Sequence, residues 1–257
     1  MMISLDIRKS VEQNASEYFE KAKKERKKIE GVKKTISIYS DKLKAINDAE
    51  GKKQQVVSRK KAKQEWYEKF RWFISSDGFL VIGGRDSTTN EIIIKKHTDK
   101  DDLVFHTDMA GSPFMVIKRE GKQGDFPAST IEEAAISTAV FSRGWKKGMA
   151  TLSVFSARPE QVTKTPNKGE FLAKGAFFIQ GSVTTYYPKM DYAIGALEDG
   201  RIMGAPLAAV KKHCLKFLEI TQGDDKLSDV AKKVQKELGG ELDFIIRALP
   251  QNCSIKR

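Results

Sequence analysis

The sequence predicts an α+β protein: an N-terminal helical coiled-coil hairpin, then a mixed, mainly antiparallel sheet domain with flanking helices. Three observations lead there. Apolar residues recur at alternating spacings of three and four through the first quarter of the chain. Short apolar runs separated by turn residues begin near Trp72. Helix-length amphipathic segments dominate the last fifty residues. The join falls near residue 70, giving a coiled-coil segment over 8–70 and a globular domain over 71–257.

Two apolar seams define the first element. One runs Ala15, Ala22, Ile29, Ile36, Leu43. The other runs Val11, Tyr18, Val32, Tyr39, Ile46, with polar Glu25 in place. This is the heptad spacing of a coiled coil. Ser10 is placed to cap the start. Asn47 to Gly51 reads as a break and turn, and Lys52 to Phe70 as a shorter second arm through Val56, Ala62, Trp66 and Phe70. The arms are unequal, so the stretch from Val11 to Ile29 needs another partner: the globular domain, a second copy, or a domain outside this chain. Trp66, Tyr67, Phe70, Trp72 and Phe73 cluster at the join. Most of them are expected to pack there rather than to stack on a ligand.

In the globular part, strands are expected near 72–75, 79–83, 91–95, 103–106, 114–118, 151–156, 175–180, 191–197 and 215–220. Asp77-Gly78 is a hairpin turn signal between the first two. Helices are expected near 129–143, 206–213, 226–238 and 241–247. Ser129 with Glu132 spells a capping box, and Gly239-Gly240 spells a helix stop.

The net charge is +12, with +9 over residues 8–70, +4 over 71–257 and −1 from Asp6. A surplus this concentrated points to a polyanion, most simply nucleic acid. Two cysteines, Cys214 and Cys253, fit a reducing cytoplasm and give no metal spacing. No membrane span or signal peptide is legible. No cofactor motif appears. The segment from Lys164 to Phe171 lacks P-loop spacing.

The turns of the middle block carry a resemblance. Ser76-Asp77-Gly78, Gly84-Arg85, Asp101-Asp102, His106 and Ala110-Gly111-Ser112-Pro113 follow in order. Thr130 to Ala135, Arg158 to Pro166, Gly169 to Leu172, Lys174 to Phe177, Gly204-Ala205-Pro206, Val210 to His213 and Arg247 to Pro250 continue it. Together they resemble the archaeal branch of the NFACT-R domain, the RNA-binding module of the ribosome quality-control proteins. That family is also called the nuclear export mediator factor family, or fibronectin-binding-like in bacteria. The resemblance implies a cytoplasmic, ribosome-associated RNA-binding factor that recruits tRNA to stalled large ribosomal subunits. It implies a coil that reaches along the large subunit. Full-length relatives carry an NFACT-N domain before the coil and support C-terminal tailing of the stalled peptide. With that domain absent here, the expectation is RNA binding without enzymatic tailing, with a separate NFACT-N-type chain as one partner.

Candidate RNA contacts are Arg85 and Asp86 at a strand end, where an arginine can grip phosphate bidentately. Lys95, Lys96, His106, Ser112, Lys118, Arg119, Lys164, Lys168, Phe171 and Lys174 are the others, with Phe171 offering a stacking ring. Lys23, Lys24, Lys27 and Lys28 are the candidates on the coil. Each has a plainer reading beside it. Arg85-Asp86 also reads as an ion pair closing a turn, His106 as a hydrogen-bonded structural histidine, and the lysine run as a solvated face. Bacterial relatives have a histidine after the Gly-Ser-Pro turn where this chain has Phe114. Two alternatives of other classes stand beside RNA binding. One is a metal-dependent RNA nuclease built on His97, His106, Asp101, Asp102 and Asp108, although their spacing matches no metal pattern. The other is a homodimerising coiled-coil scaffold with incidental charge.

Overall fold

A computed structural model describes residues 4–54, 64–109, 111–164 and 174–256. The chain divides into two compact units, Met1–Ala62 and Lys63–Arg257.

The first unit is built on one helix, α1 (Val11–Gln54), 44 residues long and so roughly 66 Å. Ser10 caps it as expected. Its Oγ accepts from the Gln13 amide at 3.2 Å, and the Ser10 amide donates to Gln13 Oε1 at 2.9 Å. This reciprocal pair is a capping box. The preceding segment folds back on the first turns. Asp6 N donates to Asn14 Oδ1 at 2.9 Å, and Tyr18 donates to the Ser4 carbonyl at 2.7 Å. The seam residues Val11, Ile29, Val32 and Ile36 are exposed.

The break expected at Asn47 to Gly51 does not form. The helix runs unbroken through Asn47 to Gly51. A lone Gly51 costs a helix only about 1 kcal/mol, which its neighbours absorb. The expected second arm lies partly outside the described residues, at 55–63. Its end, Trp66–Lys69, is a single 3-10 turn.

Among its described residues the second unit holds three antiparallel sheets. The largest orders its strands β1 (Arg71–Ile74), β2 (Leu80–Gly83), β4 (Met115–Ile117), β3 (Leu103–His106), β5 (Val154–Ala157) and β8 (Thr184–Tyr186). β1 and β2 form the expected hairpin across Gly78, with Trp72 opposite Ile82. Residues alternate between faces, as a pleated strand requires. Val81, Phe105, Met115 and Ile117 pack with α3 (Ala128–Val140) on one side. Leu80, Ile82, Val104 and Val116 pack with Phe70, Phe114 and α2 (Ser87–Lys96) on the other. Both faces are covered, so β2 reads as a continuous apolar run. A short helix, α4 (Arg143–Lys146), follows α3.

A four-stranded sheet orders β10 (Ile202–Ala205), β9 (Tyr192–Ala196), β11 (Lys216–Gln222) and β12 (Cys253–Ile255). Between its strands run α5 (Leu207–His213), α6 (Leu227–Leu238) and α7 (Leu242–Ala248). Val230, Val234 and Ile245 from α6 and α7 join Ile194 and Ile220 in its core. β6 (Val162–Thr163) and β7 (Phe178–Ile179) form a two-stranded ribbon. No helix among the described residues is long and apolar enough to cross a membrane.

Two local expectations fail. The strand expected at 91–95 is the helix α2. Asp86 accepts from the Thr89 amide at 2.8 Å, and Thr89 Oγ1 accepts from the Asp86 amide at 3.0 Å. That cap outweighs the β preference of three consecutive isoleucines. The capping box at Ser129 does not form, because α3 starts after Pro127. Ser129 and Thr130 instead donate to the Asp77 carboxylate in the β1–β2 turn.

Candidate nucleic-acid interface

Five separate stretches of the second unit meet at a cleft of about 380 Å³. They are the start of β1, the β2–α2 turn, the end of β3 with the turn that follows, the end of α3, and residues 174–176.

Asn90 holds the floor. Its Nδ2 donates to the Ser112 carbonyl at 3.3 Å, and its Oδ1 accepts from the Phe114 amide at 3.1 Å. A side chain on Gly84 would put Cβ 1.7 Å from Asn90 Oδ1, so only glycine lets β2 end here. Residue 175 closes one wall. Gly175 has φ +80°, and a Cβ there would lie 2.5 Å from Ser87 Cα at the start of α2. Glu91 fixes this wall by accepting from the Gly175 amide at 3.3 Å and from Lys164 Nζ at 3.1 Å. The hydrogen bond from Lys95 and then that from Lys164 hold Glu91 down at about 2.

The cleft is cationic. Arg85 is exposed and donates through Nη1 to the Lys69 carbonyl at 3.2 Å. Lys174 also lines the cleft and is exposed. Arg71, at the first position of β1, donates to the Gly84 carbonyl. Its guanidinium carbon lies 4.3 Å from the centre of the Phe141 ring. Its Nε is buried with no hydrogen-bond partner. Among the described residues no carboxylate lies within ion-pair distance of it. Burial pulls Arg71 down to about 10, which still leaves it charged at neutral pH. A withdrawn charge without a counter-ion is costly, and contact with an aromatic face offsets only part of that.

Asp86 lines the cleft, but its carboxylate serves as the cap of α2. The hydrogen bond from the Thr89 amide holds it below the usual carboxylate range. The expected Arg85–Asp86 ion pair does not form. His106 stacks on Phe114 at 4.0 Å and 5°, and its Nδ1 lies 2.9 Å from the Pro113 carbonyl. Burial lowers its affinity for a second proton. The ring is therefore neutral, with Nδ1 as donor and Nε2 as acceptor. The Ser112 hydroxyl is committed to the Met109 carbonyl at 2.7 Å.

The remaining expected contacts fall elsewhere. Lys118 is a correction: its ammonium is buried between Asp99 and Asp102 and also donates to the His97 carbonyl at 2.9 Å. Arg119 stacks on Phe126 at 3.7 Å and donates to the Asp101 and Gly124 carbonyls. Lys95 pairs with Glu91 at 2.7 Å, and Lys96 is exposed nearby on α2. Lys168 and Phe171 lie outside the described residues. Lys23, Lys24, Lys27 and Lys28 are exposed on α1, with Lys28 paired to Glu25 at 2.7 Å. Residues of the nuclease alternative have other partners. His97 stacks on Trp66 at 4.8 Å, whereas Asp102 accepts from the Asp99 and Arg119 amides. Among the described residues no three potential metal ligands converge.

Residues 69–181 match the model of the NFACT protein RNA-binding domain. Over 78% of its length the chain is 40% identical to the archaeal Rqc2 homolog aRqcH of Methanocaldococcus jannaschii. The chain carries an NFACT-R domain. Over 65% of its length it is also 36% identical to the human ribosome quality control complex subunit NEMF. It spans 31% of the archaeal relative and 16% of the human one. The C-terminal part of a fibronectin/fibrinogen-binding protein from Streptococcus suis overlaps 52% of this chain and 49% of its own, with a TM-score of 0.40 and 19% identity.

The NFACT-R segment contains the whole cleft, including residues that the sequence pattern did not single out. These are Arg71, Asn90 and Phe141, with Arg143 at the edge beside Gly111. A signal for Arg71 was present: a charged residue opens an otherwise apolar strand, Trp72-Phe73-Ile74.

Proposed function

We propose that this chain is a cytoplasmic RNA-binding factor of ribosome-associated quality control, engaging tRNA and the large ribosomal subunit on stalled ribosomes. The relatives named above are ribosome quality-control proteins, and the matched domain is an RNA-binding one. The observation that carries the reading is the convergence of Arg71, Arg85 and Lys174 on one cleft, with Arg71 half-buried and outside any ion pair among the described residues. A phosphate backbone supplies the missing counter-charge. On this reading the protein acts by binding and needs no cofactor.

The test is tRNA affinity of the full chain across a salt titration. Exposed Arg85→Gln and Lys174→Gln should each weaken binding and flatten the slope of log affinity against log salt by up to about one. Wild-type affinity and slope in both variants would sink the reading for this cleft.

A second reading rests on the exposed seam of α1, where Val11, Ile29, Val32 and Ile36 lie open. Such a stripe suits a partner helix, and a second copy supplies one. Sedimentation of the full chain as a monomer at tens of micromolar would remove it.

A further inference from the structure

The cleft at Arg71 has the size and chemistry of a pocket for one nucleotide. Its volume of about 380 Å³ lies at the small end of ligand pockets. A duplex presents its phosphates on a broad convex surface and cannot enter so small a concavity. An unstacked nucleotide can, because proteins read single-stranded RNA by splaying bases out of the stack.

The walls supply what such a nucleotide needs. Arg71 offers a half-buried side chain whose Nε has no hydrogen-bond partner. Arg85 and Lys174 flank it from separate segments. The three cations face a lone carboxylate lining the cleft, Asp86, which is already engaged by the Thr89 amide and hydroxyl. His106 leaves Nε2 as an acceptor, suited to a ribose hydroxyl. The apolar part of the lining comes from Phe141, Pro113 and Ala176. The wall positions are fixed by Asn90 and Glu91 before any ligand arrives, so little ordering opposes binding.

We propose that this cleft holds a single unstacked RNA nucleotide, with its phosphate on Arg71 and Arg85 and its sugar and base against the His106–Phe141 side. The proposal rests on the RNA-binding reading and deepens it by naming the bound unit.

The experiment uses the full chain with three probes: adenosine 5′-monophosphate, adenosine, and an unmodified tRNA transcript. Binding is followed by calorimetry and by displacement of labelled tRNA. The mononucleotide should bind saturably, compete with tRNA, and outbind adenosine by about tenfold or more, as expected for a charge-assisted contact. Arg71→Met should abolish mononucleotide binding while weakening tRNA less, since other phosphates keep their contacts. If Arg71→Met fails to fold, the double variant of exposed Arg85 and Lys174 to Gln decides, with the same loss expected. If tRNA binds but the mononucleotide neither binds nor competes at millimolar concentration, the pocket is wrong and the RNA reading survives. Wild-type mononucleotide affinity in a folded Arg71→Met variant likewise overturns it. If tRNA itself does not bind, both fall together.

Discussion

Lys118 and Arg85 show how one residue type can serve opposite ends. Both are cations at strand ends, and both look like phosphate contacts in the sequence. Lys118 is buried against Asp102, whose carboxylate is wholly enclosed. Removing one partner of such a pair strands the other charge. Lys118→Met should therefore cost about 3 kcal/mol, read from urea unfolding with an unchanged m-value. The folded variant should keep wild-type tRNA affinity. Arg85→Gln should do the reverse, sparing stability and weakening binding. Glu133 offers a test in pH. It is buried, its Oε2 accepts from the Ser76 amide at 2.9 Å, and its Oε1 has no partner. Burial raises it above the usual 4.5, with Asp77 adding to the shift and His213 opposing it. A raised carboxyl binds its proton more tightly in the folded state. Its contribution to stability is thus fully present below the unfolded value and is lost as pH rises through the folded one. Glu133→Gln should be more stable than wild type at neutral pH. The gap should close as pH falls from the raised folded value to the ordinary glutamate value. A gap that stays constant with pH would show that Glu133 is not the titrating group.

At the scale of elements, α2 carries the most. It sets Arg85 and Asp86 at one end of the cleft and Asn90 on its floor, and its start depends on the Asp86 cap. Asp86→Ala should cost about 1 kcal/mol, and Asp86→Ser should recover most of it. Hydrogen bonding holds Asp86 below its usual value of 3.8, so its stabilisation is present at neutral pH and lost as pH falls through the depressed value. Asp86→Ser also removes the anion lining a cationic cleft. It should leave tRNA binding equal or tighter, whereas a role in orienting RNA predicts a loss. The sequence hid this helix behind Ile92-Ile93-Ile94, since β-branched residues spell strand when the cap is overlooked. Elsewhere the pattern was readable. The Asp77-Gly78 hairpin, the helix within 128–140 and the stop at Gly239 all formed where local chemistry was unambiguous. The edge strands β8 and β12 are three residues each, too short for a period of two to declare itself. At the site, Arg85, Asp86, His106, Ser112 and Lys174 do line one cleft. Asn90 and Phe141 were not legible, because their roles come from contacts made across the fold, and Arg71 showed only as a charge opening an apolar strand.

The whole molecule carries its charge unevenly, and this separates two ways of holding RNA. Residues 8–70 have a surplus of +9, and Lys23, Lys24, Lys27 and Lys28 lie exposed on α1. Among the described residues, Lys28 is the one member of this group held in an ion pair, and that pair is solvent-exposed, so it is worth little. A rod of this kind binds phosphates without choosing among bases. Each neutralised phosphate adds about 0.7 to 0.9 to the salt slope. Changing all four lysines to glutamine should therefore lower the slope by roughly two to four and weaken tRNA binding at low salt, equally for RNAs of different sequence. On the proposed reading the cleft differs: it adds slope through its few cations alone and also requires an accessible unstacked nucleotide. Measured on structured tRNA and on a fully duplex RNA, the lysine variant should lose affinity for both. The double variant of Arg85 and Lys174 to Gln should lose affinity for tRNA more than for the duplex. An unchanged slope in the four-lysine variant would assign the rod to protein contacts instead. The exposed seam of Val11, Ile29, Val32 and Ile36 would then be the first surface to mutate.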